Sequence, residues 1–218
     1  MPAPIYITGT SMISQHKVFK NQIAVFEDMN TDAPGFLIAA YHHFAIKYSK
    51  FYKMDNLSKL GWLAAEVLLK DSFENDKYTP EEVGLLLTNA SSSLDADLKY
   101  FESTKEFASP ALFVYTLPNI VIGEICIKHK FKGENAFFIF EALDADFIEK
   151  YVSNLLNNNI LQACICGWVE FIGEQYKAVL FLIEKNSTLP KDSNFDTNAD
   201  SIVFSKENLN KIYHSENG

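Results

Sequence analysis

The sequence predicts a layered α/β fold: a mixed, mostly parallel five-stranded sheet with an antiparallel edge hairpin. Three observations carry this. Strand-like and helix-like segments alternate through most of the chain, as in helices packed on a sheet. Two runs, Val83-Gly84-Leu85-Leu86-Leu87-Thr88-Asn89 and Ala136-Phe137-Phe138-Ile139-Phe140, are apolar without alternation, the pattern of strands covered on both faces. The last two apolar runs, 161–171 and 175–185, are joined by a short connection around Gly173, which suits antiparallel neighbours.

In order, Ile5-Tyr6-Ile7-Thr8-Gly9 reads as a first strand ending at a glycine. Residues 10–35 show no period and end in the breaker cluster Asp32-Ala33-Pro34-Gly35. Phe36 to Tyr52 mixes aromatic, aliphatic and lysine residues, an irregular helix. Asp55-Asn56-Leu57-Ser58 offers cap residues, and Leu60, Leu63, Ala64, Val67 and Leu68 follow at helical spacing. Thr79-Pro80-Glu81-Glu82 breaks the chain before the strand at 83–89. A serine turn, Ser91 to Ser93, leads to a helix over 94–103. Pro110 and Pro118 bracket Ala111 to Leu117, and a proline-led helix runs from 119 to 130. Gly133-Glu134-Asn135 turns into the strand at 136–140, and a helix over 144–159 follows. Residues 186–200 are polar, a loop or linker, and Ser205 can cap a short final helix over 206–214. The domain division expected is 1–185 for the α/β unit and 186–218 for the loop and helix.

Composition narrows the function. With 218 residues and 48% hydrophobic content, the chain has enough apolar material for its own core and is not a disordered sequence. No apolar stretch is long enough to span a bilayer. The start, MPAPIYITG, carries no secretory signal, and three cysteines cannot make a stapled scaffold, so a cytoplasmic location is expected. The formal net charge is -9 and every Lys/Arg position is lysine. Nucleic acid is therefore an improbable partner, and the bidentate arginine clamp for phosphate or carboxylate is absent.

Isolated chemical signals are weak. Cys164 and Cys166 are two apart on a strand, so they share a face, and without further ligands nearby they read as core residues. His42 and His43 diverge on a helix, and Thr8-Gly9-Thr10 is far from a dinucleotide fingerprint. Ser91 to Ser93 lack a G-x-S-x-G frame. No metal or cofactor is expected.

Several segments together resemble the N-terminal half of the β-ketoacyl synthases, which have a thiolase-like fold. They are IYITGTSMIS (5–14), MDNLSKLGWLAAEVLLKD (54–71), VGLLLTNASSS (83–93) and above all SPALFVYTLPNIVIGEICIKHKFKGEN (109–135). The last is similar to the family's S-P-x-x-F…T-x-P-N…G-x-N run. LQACICGWVEF (161–171) resembles the strand that usually ends in Gly-Gly-x-Glu. The resemblance covers residues 4 to 185.

Two departures shape what it implies. Ketosynthases carry a cysteine on the strand-to-helix turn after the G-x-N run, where a thiolate must be exposed to be acylated. Here Phe140-Glu141-Ala142-Leu143-Asp144 occupies that stretch, and alignment without gaps from Gly133 puts Ala142 at the cysteine's position. Members are also about twice as long, with histidines in the C-terminal half. After Lys185 this sequence has only His214, so that half is expected to be missing.

The resemblance therefore implies an inactive, chain-length-factor-like subunit that pairs with a full-length ketosynthase in fatty-acid or polyketide-type synthesis. Short versions of this kind serve aryl polyene and flexirubin-like pigments. An acyl carrier protein is a further implied partner. In the family, the strand before the nucleophile turn lies at the dimer interface, and the T-x-P-N segment flanks the acyl tunnel. By position these become Phe137, Phe138 and Phe140, and Phe113, Tyr115, Thr116 and Asn119. Lys128, Lys130 and Lys132 stand out in an acidic chain as a docking patch for an acidic carrier. Two other readings remain: a free-standing homodimeric acyl-binding or scaffold protein, and an acyltransferase or hydrolase rebuilt around Ser91, Ser92 or Asp144.

Overall fold

Strand β1, Ile5–Ser14, runs on well past the expected Gly9 and lies near the middle of an eight-stranded sheet. The computed structural model of the chain describes residues 4–185 and 202–215. Beyond β1, the supposedly period-free stretch forms a hairpin, β2 (Lys17–Lys20) and β3 (Ile23–Glu27). Sequence reading misses it because its turns use Gln15-His16 and Asn21-Gln22 at positive φ rather than glycine. The second half of β1 is buried while carrying Thr10, Ser11 and Ser14, so hydropathy does not alternate there.

The other strands are β4 (Val83–Asn89), β5 (Asn135–Ile139), β6 (Ala163–Ile172), β7 (Gln175–Lys185) and β8 (Ile202–Val203). The order is β3-β2-β1-β7-β6-β4-β5, with β8 paired to β1. All five expected strands form, but the sheet has eight and is mostly antiparallel. Only β4 runs parallel to its neighbours, β5 and β6. The β6–β7 hairpin is central, not at the edge. Strand β7 is buried from Ala178 to Glu184 and uses both hydrogen-bonding edges, one for β6 and one for β1. The ends of that order are β3 and β5.

Glycines sit where backbones crowd. A Cβ on Gly133 would lie 2.5 Å from the Val83 carbonyl oxygen, where β4 and β5 begin side by side. Gly167, at φ +147 in mid-β6, would put one 2.1 Å from the Val179 oxygen.

Helices cover both faces. On one side α1 (Ala33–His43), α2 (Asn56–Leu69) and α5 (Ile120–His129) pack around Phe36, Leu60, Leu63 and Ile125. Helix α1 ends at His43, and the expected helix to Tyr52 is instead a loop and a 3-10 turn over Ser49–Lys53. The caps are those the sequence offers: Asp55 Oδ1 accepts from Ser58 N at 3.0 Å to start α2. Between β4 and α5 lie α3 (Leu94–Ser103) and α4 (Pro110–Phe113), the latter followed by a 3-10 turn over Val114–Thr116.

The opposite face is covered by α6 (Ala145–Asn157) and α7 (Lys206–Tyr213). Ser205 caps α7 as expected, accepting from Asn208 N. Phe204, Leu209 and Ile212 are buried with Ile148, Val152 and Phe181. The expected loop over 186–200 lies outside the described residues.

Candidate functional site

The turn from β5 to α6 holds Ala142. Phe140 N donates to the Asn89 carbonyl at 2.9 Å, fixing the start of the turn to the end of β4. Asp144 Oδ1 accepts from Phe147 N at 2.9 Å and starts α6. The strand-turn-helix connection is therefore well defined, and Ala142 is exposed on it. A methyl group there offers neither lone pair nor proton. The three cysteines are elsewhere: Cys126 on α5, Cys164 and Cys166 on β6 facing α6. Burial pushes the Cys126 thiol up to about 11 and Cys164 to about 12, and raises Cys166 well above its usual value. At neutral pH all three are protonated and poorly nucleophilic.

The aromatic residues assigned to a tunnel or interface fall into separate groups. Strand alternation divides β5: Phe137 packs toward α2 and α5, while Phe138 packs toward α6. Phe138 and Phe140 meet Phe147, each at 4.9 Å between ring centroids, and Tyr151 joins Phe138 at 5.6 Å. Phe113 is exposed and lies 5.3 Å from the Tyr100 ring. Tyr115 packs against the α2–α5 core, and burial, followed by nearby Glu124, raises its phenol to about 12. Thr116 bonds back to the Phe113 carbonyl at 2.7 Å, and Asn119 is exposed at the start of α5.

The lysines are likewise dispersed in their contacts. Lys128 lies over the Tyr48 ring at 5.5 Å, Lys130 ends α5 at φ 63, and Lys132 is 3.6 Å from Glu81. His42 and His43 are exposed at the end of α1.

Sequence reading missed the groups that organise this end of the sheet. Glu170 Oε2 accepts from Ala90 N at 2.7 Å and Ser91 N at 3.1 Å. Buried Asn89 grips Ser92 in both directions, at 2.8 and 3.0 Å. Ser93 Oγ donates to the Thr116 carbonyl at 2.8 Å. The only advance signal was Glu170 at the end of a Gly-x-x-Glu strand. On the far helical face, His129 Nε2 and Glu66 Oε1 meet at 2.6 Å beside a cavity of about 260 Å³ walled by Phe44, Ile46 and Phe73. A second cavity, of about 270 Å³, lies between Met12, Phe19 and Ile212. Among the described residues no group of three His, Cys, Asp or Glu side chains could hold a metal ion. None of the described helices is by itself long and apolar enough to cross a membrane.

No protein-family model matches the chain, and no curated protein matches it. Solved structures do. The ishigamide ketosynthase/chain length factor superposes with a TM-score of 0.60 at 16% identity, over 86% of this chain and 63% of that one. The AntDE:AntF complex, a type II polyketide synthase acyl carrier protein with its ketosynthase, gives 0.60 at 16%, over 85% and 64%. The ketosynthase ApeO in complex with its chain length factor ApeC, from Xenorhabdus doucetiae, gives 0.54 at 11%, over 84% and 79%. The chain spans less than two thirds of the first two. Its α/β architecture is the thiolase-like fold that these ketosynthase and chain length factor structures share.

Proposed function

We propose that this chain is a non-catalytic, chain-length-factor-like subunit that pairs with an active β-ketoacyl synthase in fatty-acid or polyketide-type synthesis of the aryl polyene or flexirubin-like kind. The observation that supports the reading is the β5–α6 turn, which is built in backbone and caps and bears Ala142 at the position that the resemblance gives to the nucleophile cysteine. A subunit without a nucleophile acts through its surface. Among the described residues strand β5 is an unpaired edge, the kind of strand that another chain extends. The exposed Leu98, Phe101, Phe113 and Leu117 on and after α3 add apolar area that a partner can bury. Phe113 to Asn119 and Phe137 to Phe140 are, on this reading, the segments that meet the partner or line a shared tunnel, and Lys128, Lys130 and Lys132 attract the carrier protein.

The test is co-expression with the full-length ketosynthase encoded nearest to it in the source genome, followed by native mass measurement and exposure to an acyl-thioester analogue. The expected result is a complex containing both chains, in which only the ketosynthase becomes acylated. Acylation of this chain, or a homodimer that ignores the ketosynthase, overturns the proposal; the homodimer is what a free-standing acyl-binding protein would give.

A further inference from the structure

The β4–α3 turn, residues 90–93, is held from three directions. From β6, the Glu170 carboxylate accepts from the consecutive amides of Ala90 and Ser91. Ionised acceptors make stronger hydrogen bonds than neutral ones, and two adjacent amides sharing one oxygen fix the turn's orientation as well as its position. From within, Asn89 holds Ser92 at φ 52, a conformation a non-glycine residue adopts only when its surroundings enforce it. Outward, the turn reaches one segment assigned to the partner and Asn89, the last residue of β4, reaches the other in continuation of the β4–β5 ladder. Ser93 Oγ bonds the Thr116 carbonyl, and the Asn89 carbonyl takes the Phe140 amide. Thr116 follows Phe113 through its own bond to that residue's carbonyl, and Phe140 leads into Ala142. The two segments are more than 20 residues apart in the chain, and residues 89–93, the end of β4 with its turn, bond to one residue of each. Glu170 itself stands on β6 with Lys177 across from it in the central β6–β7 ladder.

We propose that Glu170 is a positioning residue for the partner surface: by clamping the Ala90–Ser91 amides it sets the Thr116 segment and the Phe140 segment in register with each other. The proposal rests on the ketosynthase-pairing reading for its functional consequence, but its structural part is tested without a partner.

The experiment compares the wild-type chain with Glu170→Ala, Glu170→Gln and Ser93→Ala by amide hydrogen exchange, and then by titration with the same ketosynthase. Glu170→Ala is expected to speed exchange about 10-fold or more at Ala90, Ser91 and Phe140, the loss of a charge-assisted bond. Exchange along the β1–β7 ladder stays unchanged. Glu170→Gln, which keeps an acceptor oxygen, restores most of the protection and serves if the alanine variant does not fold. Ser93→Ala is expected to loosen 113–117 while leaving Phe140 protected. In the titration, Glu170→Ala weakens ketosynthase binding about 10-fold and Glu170→Gln recovers it. Unchanged protection at Phe140 and 113–117 in Glu170→Ala overturns the inference, as does a uniform rise across the whole sheet. If wild-type chain fails to bind ketosynthase while the exchange pattern holds, the pairing reading falls and the clamp stands. If wild-type and Glu170→Ala chains bind equally well, the clamp falls and the pairing stands.

Discussion

The layer formed by α6 and α7 and the layer formed by α3, α4 and β5 both lie over or beside the same sheet, yet their outward sides end differently. Helix α6 buries Ile148, Val152 and Leu156 and turns Asp146, Glu149 and Lys150 outward. Asp146 pairs with Lys150 and, at 3.2 Å, with Lys206 of α7, while Glu149 accepts from the Lys206 amide at 2.8 Å. That surface is finished for water. Helix α3 instead leaves Leu98 and Phe101 on its outward side, Phe101 at 68% exposure, with Phe107 at 78% and Phe113 at 58% close by in the chain. Beside them β5 has one edge unpaired among the described residues. Water satisfies the first surface better than the second, so on the proposed pairing the second is the side that a partner covers.

The strongest way to break that comparison is to charge the apolar side. In Phe101→Asp/Phe113→Asp, ketosynthase binding should fall by about 100-fold or more, since a buried aromatic anchor is worth about 2 kcal/mol or more. Thermal melting should barely change, because both rings are exposed in the lone chain. Equal affinity for the double variant removes the apolar side as a docking surface.

The next largest effect tests the finished side. Leu209, fully buried on the inner face of α7, should cost about 2–5 kcal/mol when changed to alanine, read from urea unfolding. Asp146→Ala on the outer surface should change stability little, and neither variant should alter ketosynthase affinity while folded. An affinity loss in Leu209→Ala comparable to its stability loss would show that the two sides are not independent.

A third region sharpens the contrast through pH. Glu184 on β7 is buried, a cost to its carboxylate, but hydrogen bonds from Thr8 at 2.6 Å, from Tyr78 and from Lys77 at 3.0 Å outweigh it and hold its pKa below the usual value. A depressed carboxylate contributes stability above its unfolded-state pKa, about 4.3 for glutamate, and that contribution is lost as pH falls through the lower folded-state value. Glu184→Gln should therefore be less stable than wild type by about 1–3 kcal/mol at neutral pH. The gap should close in acid below about pH 4, as followed by denaturant midpoints across pH. A gap that persists there assigns the loss to packing instead.

The smallest effect belongs to the lysines. Charge reversal at Lys128, Lys130 and Lys132 together should weaken acyl carrier protein binding a few-fold at low salt and hardly at all at high salt, because these are exposed or half-exposed charges. No change at low salt removes them from the docking surface.

Much of the fold was legible residue by residue. The continuous apolar runs at 83–89 and 136–140 are strands, and Asp55 and Ser205 start the helices they were expected to start. The hairpin at 17–27 was not legible, because its turns use Gln, His and Asn at positive φ where glycine would have announced them. The site divides in the same way. Ala142 was singled out only through the family resemblance, and the structure places it on a strand-to-helix turn, whereas the aromatic set Phe113, Tyr115, Phe137, Phe138 and Phe140 looked like one group and is spread over separate faces. Adjacent residues on a strand point opposite ways, so their closeness in sequence says nothing of a shared cavity.

By itself, the sequence determined the local matters: which buried runs extend, where caps start helices, and that position 142 offers no thiol. Each depends on residues within a few positions of one another. Only the tertiary structure decided that β6–β7 sits at the centre of a mostly antiparallel sheet, that a segment from 202 to 215 returns to close one face, and that Glu170 grips amides 79 and 80 residues earlier. The reason is physical. Pairings across such distances are chosen by which edges and faces remain to be satisfied once the chain has collapsed, and they leave no periodic trace in the residues that make them.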